Sequence, residues 1–463
     1  MTGEAGWFER ERAVEPIPSA WREGEAAVIG LARSGLAAGR LLRRLGLRVY
    51  ASDAKDTPAL AEAATALRAE GCDAATGGHD LARIAKARIV VLSPGVPPTA
   101  PPVRAALDAG LGVISEVDLA ARCLPHTRLI VTTGTKGKSS TASMIAAILA
   151  AAGLGPAEVA GNIGAPLSDV ALRPVHPMWL SVEVSSFQLH DSPFLCPAAG
   201  VLTNLSPDHL DRYASVTDYY GDKALLFWND GPGCRWILNG DDPEVALMTE
   251  ALAGRRELFS LEVPIADAWL DRTGGWLVLR GLPLMRRGDL RLLGDHNVAN
   301  ALAAALAVPP DTDRDVIATA LRGFHALHHR LEPVREVGGV LWVNDSKATT
   351  VSAALSAVRA IDRPVVLLLG GKDKGGDFAQ LAPALATARV IAFGDAGERI
   401  ARELEGKVPV AREGHDFERV LAAARAMAAP GDAVLLSPAC SSFDMFDSAE
   451  QRGERFTAWV GGL

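Results

Sequence analysis

The chain has 463 residues and a mass of 48.6 kDa, which at about 150 residues per domain points to three domains. Hydrophobic residues make up 49% and charged residues 22%, a composition that excludes bulk disorder. The net charge of −8 argues against a general nucleic-acid coat but not against anionic small molecules, which need only local positive charge. Cys72, Cys123, Cys196, Cys234 and Cys440 are scattered without a CxxC pair, which gives no zinc framework and fits a reducing compartment. The polar N-terminus lacks the apolar core of a signal peptide. The longest apolar stretch, Ala142 to Leu154, is interrupted by Ser143 and too short for a bilayer. The expectation is a cytoplasmic protein with no membrane or nucleic-acid partner.

Residues 1–22 read as a tail. The apolar run Ala26–Leu31 includes a turn glycine, Gly30; a helical pattern covers Ser34–Leu45; Leu47–Tyr50 is apolar again and stops before Asp53. That order describes a βαβ unit. With a further strand, Ile89–Leu92, ending at Ser93, it defines a Rossmann-like domain over 23–115. Gly30-Leu-Ala-Arg-Ser-Gly35 followed by Asp53 suggests a nucleotide. Ala32 replaces the glycine that lets a backbone approach a dinucleotide pyrophosphate, which argues against a nicotinamide dehydrogenase. Asp53 or Lys55 would then lie near some other nucleotide.

A second domain, 116–325, opens with the strand Arg128–Thr132. It runs into Gly134-Thr135-Lys136-Gly137-Lys138-Ser139-Ser140 and a long Ala-rich helix. Backbone N–H groups of such a turn point at phosphate oxygens, and the helix dipole favours the same anion. Lys138 would reach the β- and γ-phosphates and the Ser139 hydroxyl would sit near Mg²⁺. Thr132 stands where the full eight-residue pattern has Gly, so this is a shortened P-loop in an ATPase-like α/β domain. Strands Trp179–Val184 and Gly200–Leu205 follow. Glu183, leaving the first of them, is placed either as a Mg²⁺ ligand or as a cap on the next helix. His209, between Asp208 and Asp211, is structural, a metal ligand or a substrate-orienting group. Local sequence gives Lys223 no distinction from a solvated helix face. The stretch 257–293 reads as short strands with turns, and His296–Ala307 as a helix.

The third domain, 326–463, alternates strands (Val340–Val343, Pro364–Leu369, Val390–Phe393, Ala433–Leu436) with helical patterns, a second Rossmann-like α/β unit. Three polar turns follow strand ends: Asn344–Thr349, Gly370–Gly376 and Ser437–Ser442. Their convergence on one face makes a ligand crevice. Cys440 has no evident His partner and reads as a small buried residue rather than a nucleophile.

Taken together these segments resemble the Mur ligase family over nearly the whole chain from about residue 24. The most specific pieces are Glu183-Val-Ser-Ser-Phe-Gln188, Asp208-His-Leu-Asp-Arg-Tyr213, Asn344-Asp-Ser-Lys-Ala-Thr349 and Leu436-Ser-Pro-Ala-Cys440. Gly161–Gly164, Gly294–Asn297 and His329-Arg330 also fit. The resemblance implies an α/β protein of three domains. It implies an ATP-dependent amide ligase that uses Mg²⁺ at two sites, with UDP-N-acetylmuramoyl-L-alanine and D-glutamate as substrates, acting as a monomer. It places Arg33, Ser34, Asp53, Lys55 and Ser93 on the UDP-sugar, with Asn162 and His209 near that substrate. The Gly134–Ser140 loop, Asn297, Arg330 and Asp345 go to ATP. Lys138, Glu183, His209 and Lys223 are then catalytic. Ser139, Glu183, His209 and a carbamylated Lys223 are the metal ligands, and Lys347, Thr349, Lys374 and Ser442 surround the glutamate. Departures are Lys136, where the family usually has Asn, Thr350 in place of a common Asn, and Ala449 in place of an aromatic. Folylpolyglutamate synthases and other Mur ligases share the P-loop, the lysine and the third domain, so a different acceptor or L-glutamate is the alternative. A nucleotide sensor without ligation is a further one.

Overall fold

The computed structural model describes residues 17–210 and 212–463; the rest of the expected tail, residues 1–16, and Asp211 lie outside the described residues. The chain is α/β throughout, with three sheets. The first joins β1 (Glu25–Ile29), β2 (Arg48–Ser52), β3 (Asp73–Ala75), β4 (Ile89–Leu92) and β5 (Val113–Ser115). Its order is β3-β2-β1-β4-β5, all parallel. The helix Arg33–Arg44 leaves β1 so tightly that a Cβ at Gly35 would lie 1.7 Å from the Gly30 carbonyl oxygen. This is why glycine stands there.

The second sheet runs from β6 (Arg128–Thr133), β7 (Val159–Gly161), β8 (Trp179–Glu183), β9 (Ala199–Leu202) and β10 (Arg235–Asn239) to β11 (Arg255–Ser260), β12 (Ala268–Asp271), β13 (Trp276–Leu279) and β14 (Leu282–Arg286). The order is β14-β13-β12-β11-β10-β9-β6-β8-β7. It is parallel until β12, β13 and β14 close it as an antiparallel edge. β6 and β8 are buried on both faces apart from the first residue of β6, as a sheet covered by helices on both sides requires. β9 ends at Leu202, three residues before the expected end, because Thr203 and Asn204 already turn to the phosphate loop.

The third sheet comprises β15 (Glu332–Val337), β16 (Val340–Asn344), β17 (Val365–Gly370), β18 (Arg389–Phe393), β19 (Val410–Arg412) and β20 (Ala433–Ala439), in the order β15-β16-β20-β17-β18-β19. Only β15 is antiparallel to its neighbour.

By compactness the chain forms two units: residues up to Arg287 with Ala299–Arg322, and Gly288–Val298 with Gly323–Leu463. The second thus takes in Gly288–Val298, a stretch within 116–325. Inside the first unit, the first two sheets share one apolar core that includes Val28, Leu41, Val117, Val131 and Trp236. The connecting helix Glu116–Arg122 adds buried polar ties across the join. Ser168 N–H donates to Glu116 Oε1 (2.5 Å), Phe194 N–H to Asp118 Oδ1 (2.6 Å), and Ser115 and Ser192 hydroxyls meet at 2.6 Å. Trp21 also packs on this core, with the Arg122 guanidinium 5.5 Å from its ring centroid.

Glu257 on β11 is fully buried between Arg235 (2.8 Å), Arg280 (3.3 Å) and Arg255 (3.5 Å). Burial alone would raise its carboxyl, but the Arg235 hydrogen bond and the surrounding guanidinium charges bring it below the usual range. Arg235 also reaches the Leu306 carbonyl, so this charge group ties the sheet to the end of the helix Asp295–Ala307. Removing one partner of a buried ion group leaves the others uncompensated. Glu257→Ala is therefore expected to lose about 3–5 kcal/mol, read as a fall in the urea midpoint of the first unit. An unchanged midpoint would contradict this account.

Candidate active site

The phosphate loop is held both by its neighbours and by its own side chains. Gly134 sits at φ 140°, and a Cβ there would lie 2.0 Å from Thr203 Oγ1. Thr203 Oγ1 and Asn204 Nδ2 donate to the Lys136 carbonyl (2.6 and 2.9 Å), while Asn204 Oδ1 accepts the Lys136 N–H (2.9 Å). The end of β9 therefore fixes the loop between β6 and the helix Lys138–Ala151. Thr135 Oγ1 donates to the Ser206 carbonyl and accepts from Ser206 N–H and Tyr219 OH. Lys138 opens the helix after left-handed Gly137, and its Nζ donates to the carbonyls of Gly134 (3.0 Å) and Thr135 (2.9 Å). Ser139 is buried, and Lys136 and Ser140 are half-buried. Burial lowers the Lys136 ammonium, while Asp208 nearby opposes that shift.

Lys223 is 1% exposed, which corrects the solvated helix face that local sequence implies. It ends the helix Val216–Ala224, where only one face is covered, and it lies on that face. Its Nζ donates to the Gly134 carbonyl (2.7 Å) and lies 4.7 Å from the Tyr219 ring centroid. Burial first, and then the Lys138 charge, push its amine down to about 6, against the pull of Asp208, Asp222 and Glu183. The amine is thus neutral at pH 7 and nucleophilic.

Glu183 ends β8 with 1% exposure. Its Oε1 accepts from Asn162 Nδ2 (2.7 Å), while Oε2 is buried with no hydrogen-bond partner. It does not cap the following helix; Ser185 does, through a capping box with Gln188. His209 takes a left-handed backbone (φ 55°), and its ring lies edge-on to Phe187 (5.2 Å) and Tyr219 (5.8 Å). The orphaned carboxylate oxygen of Glu183 and the Ser139 hydroxyl are the kind of oxygen donors a hard divalent cation takes, and the His209 imidazole is the softer member of the candidate set.

In the same unit a cavity of roughly 550 Å³ opens at the carboxyl ends of β1, β2 and β4. Arg33, Ser34, Asp53, Lys55 and Ser93 line it, and Gly161 and Asn162 of the second sheet's domain complete it. His209 is not among its lining residues. Asp53 braces the rim, accepting Leu31 N–H (2.8 Å) and Lys55 N–H (2.9 Å). Arg33 reaches across to the Gly164 carbonyl. Asn162 thus faces the cavity and also holds Glu183.

The second unit carries the remaining candidates. Asp345 accepts Leu331 N–H (3.0 Å) and Ser437 Oγ–H (2.8 Å), and burial pushes its carboxyl up to about 7, opposed by these bonds and by Arg330. Asn297 is buried, its amide donating to the Leu293 carbonyl (2.9 Å). Lys374 Nζ contacts Thr349 Oγ1 at 3.4 Å, whereas Lys347 pairs with Glu450 at 2.8 Å. Ser442 Oγ is buried without a partner. Cys440 is fully buried, its thiol pushed up to about 12 by burial, as a packing residue would be. Thr350 caps the helix Val351–Arg359, a role Asn fills equally well. Ala449 begins the last helix, Ala449–Gly461, and its carbonyl accepts from Ser346 Oγ.

Sequence reasoning missed Arg452. It is fully buried and donates to the carbonyls of Ser346 (2.9 Å) and Cys440 (3.2 Å), tying two of the strand-end turns together. It also missed Thr203 and Asn204 as loop supports, although their position directly after an apolar strand was a usable signal.

Family models match along the chain in order: the Mur ligase MurD-like N-terminal domain over residues 24–115, the Mur ligase middle domain over 132–308, and the Mur ligase glutamate ligase domain over 329–440. The UDP-N-acetylmuramoylalanine--D-glutamate ligase of Salinibacter ruber is 41% identical over 461 residues, covering 96% of this chain and 99% of the relative. The enzyme of the same name from Myxococcus xanthus is 39% identical, covering 94% and 98%. The chain belongs to the Mur ligase family. In fold it is similar to UDP-N-acetylmuramate-alanine ligase MurC from Thermotoga maritima, with a TM-score of 0.59 and 18% identity over 95% of this chain and 99% of that one. No helix among the described residues is long and apolar enough to cross a membrane.

The buried amine sets a pH dependence. Lys223 has a folded pKa of about 6 against 10.5 for the free group. Between those values the unfolded chain holds a proton that the folded chain lacks, so unfolding free energy rises with pH across that window. In carbon-dioxide-free buffer the wild type should therefore gain stability with pH relative to Lys223→Met, compared by denaturant midpoints. Parallel curves would mean that the folded amine stays charged.

Proposed function

We propose that this chain is an ATP-dependent ligase that adds D-glutamate to UDP-N-acetylmuramoyl-L-alanine in peptidoglycan precursor synthesis. The observation that carries the reading is the pair of lysines, Lys138 and Lys223, that both donate to the Gly134 carbonyl of a phosphate loop, with the orphaned Glu183 oxygen at the end of the adjacent strand. The near-full-length relatives that bear this enzyme's name support it, and they favour it over a folylpolyglutamate-type acceptor.

A carboxylate is a poor electrophile, so the substrate carboxylate first attacks the γ-phosphorus of ATP, releasing ADP and leaving an acyl phosphate. The neutral amine of D-glutamate then attacks the acyl carbon. Phosphate departs and the amine loses a proton, giving the amide. The loop amides and Lys138 take the charge on the transferring phosphoryl group. Ser139, Glu183, His209 and Lys223 as its carbamate would hold Mg²⁺ at two sites, which when bound neutralises phosphate charge. Carbamylation needs a neutral amine, and burial beside Lys138 supplies one. Arg33, Ser34, Asp53, Lys55 and Ser93 would bind the UDP-sugar, with Asn162 between that cavity and Glu183. In the second unit Asn297, Arg330 and Asp345 would contact the nucleotide. Lys347, Thr349, Lys374 and Ser442 would take the glutamate, a dianion that suits two lysines and an unpartnered hydroxyl. In this reading the protein acts as a cytoplasmic monomer.

Phosphate release from ATP with UDP-N-acetylmuramoyl-L-alanine should require D-glutamate and yield a product of matching mass; release with L-glutamate instead would move the specificity, and none with either would reject the ligase. Lys138→Ala should lower turnover by at least about a hundredfold while UDP-sugar affinity, measured calorimetrically, stays within about twofold. Turnover at the wild-type rate would remove Lys138 from the mechanism.

A further inference from the structure

The segments carrying Glu183, His209 and Lys223 come from separate parts of the chain, and one side chain outside that set ties them together. Asp222 precedes Lys223 and is largely buried, at 15% side-chain exposure. Its Oδ2 accepts the Tyr213 hydroxyl at 2.8 Å, and its Oδ1 meets His190 Nδ1 at 2.7 Å. Tyr213 closes the turn after His209, its N–H donating to the His209 carbonyl (3.1 Å). Its ring stacks on Phe187 (5.5 Å, 11°), the same ring that His209 meets edge-on. His190 and Ser186 are the two ends of the short helix that follows Glu183.

We infer that Asp222 is a positioning residue, whose carboxylate holds Tyr213 and the Ser186–His190 helix in register with Lys223 and so sets the mutual placement of Glu183, His209 and Lys223. This rests on the reading of those three residues as cation ligands. His209 is held in a left-handed conformation that a free loop would not keep. Phe187 and Tyr213 pack beside it, and Asp222 anchors the Tyr213 hydroxyl on the Lys223 side.

The test uses Asp222→Ala, Tyr213→Phe, the double variant and Asp222→Asn, which keeps an acceptor for the tyrosine. Manganese binding is titrated by the paramagnetic resonance of the free ion in the presence of ATP, alongside kcat, KM for the UDP-sugar and thermal midpoint. Asp222→Ala and Tyr213→Phe are each expected to weaken Mn²⁺ binding and lower kcat by about tenfold or more, with KM for the UDP-sugar unchanged. The double variant should be no worse than Asp222→Ala alone, since Tyr213→Phe breaks a contact that Asp222→Ala already removes, and Asp222→Asn should recover most of the loss. Wild-type Mn²⁺ affinity and kcat in Asp222→Ala, or a lowered midpoint alone, would overturn the inference. Failure of the wild type to release phosphate with D-glutamate would instead reject the functional reading.

Discussion

Two lysine side-chain nitrogens share one carbonyl oxygen: Lys138 and Lys223 both donate to Gly134, at 3.0 and 2.7 Å. Like charges cannot both sit beside one another in a buried site without penalty. Lys223 is the more buried of the two, and burial together with the Lys138 charge lowers its amine. This contact explains why the loop needs glycine at 134. The carbonyl must turn toward two donors while the α-carbon faces Thr203, and no side chain fits between. It also explains why the surrounding acids are arranged as they are. Asp208, Asp222 and Glu183 all favour the charged amine, yet burial outweighs them. A site that concentrates cations and then neutralises one of them is suited to accept the negative charge of a triphosphate, and to convert that amine into an anionic ligand.

The rigid part of the molecule is the join between the first two sheets. Buried Glu116 and Asp118 accept backbone N–H groups from the neighbouring domain, and one apolar core runs through both. A shared core makes independent motion of the two costly. The cavity at the ends of β1, β2 and β4 is thereby fixed relative to the phosphate loop. Asn162 is the physical link, lining the cavity while donating to Glu183. In the proposed reaction this is the geometry that counts. The nucleotide end of the sugar substrate is anchored in one domain, and its carboxylate has to arrive beside the loop of the other.

Much of this was legible in the sequence because strand ends carry their own signal. Apolar runs stop abruptly at polar residues, and in parallel sheets those residues face ligands. Gly134–Ser140, Glu183, Asp53 and Ser93 all stand at or just after such strand ends. Lys223 did not, since it lies on a helix whose exposed and buried faces look alike in composition, and only the family resemblance singled it out. Asp222 and Arg452 were invisible for a different reason. Each is a charged residue on a helix with a partner far away in sequence, His190 for Asp222 and Ser346 for Arg452, so nothing local separates it from a solvated one. The short strands β3, β5, β7 and β19, of three residues each, escaped because their pairing comes from the neighbouring strand and not from their own periodicity.

The second unit repeats the logic of the first with a different means of support. Its polar turns follow β16, β17 and β20, and ties within the unit hold them. Arg452 does so from inside, joining the turn after β16 to the one after β20, while Lys372 and Ser441 pair the turns after β17 and β20 through backbone bonds. A buried guanidinium is acceptable here because carbonyl oxygens satisfy it on several sides. Burial lowers it only to about 10, so it remains charged at neutral pH. That charge lies behind turns that present Lys374 and Thr349 at one edge and the unpartnered Ser442 hydroxyl at another. A small dianion bound there would gain from Lys374 directly and from Arg452 at longer range. Arg452 would then have two tasks: shaping the turns and adding positive potential to the site proposed for that dianion.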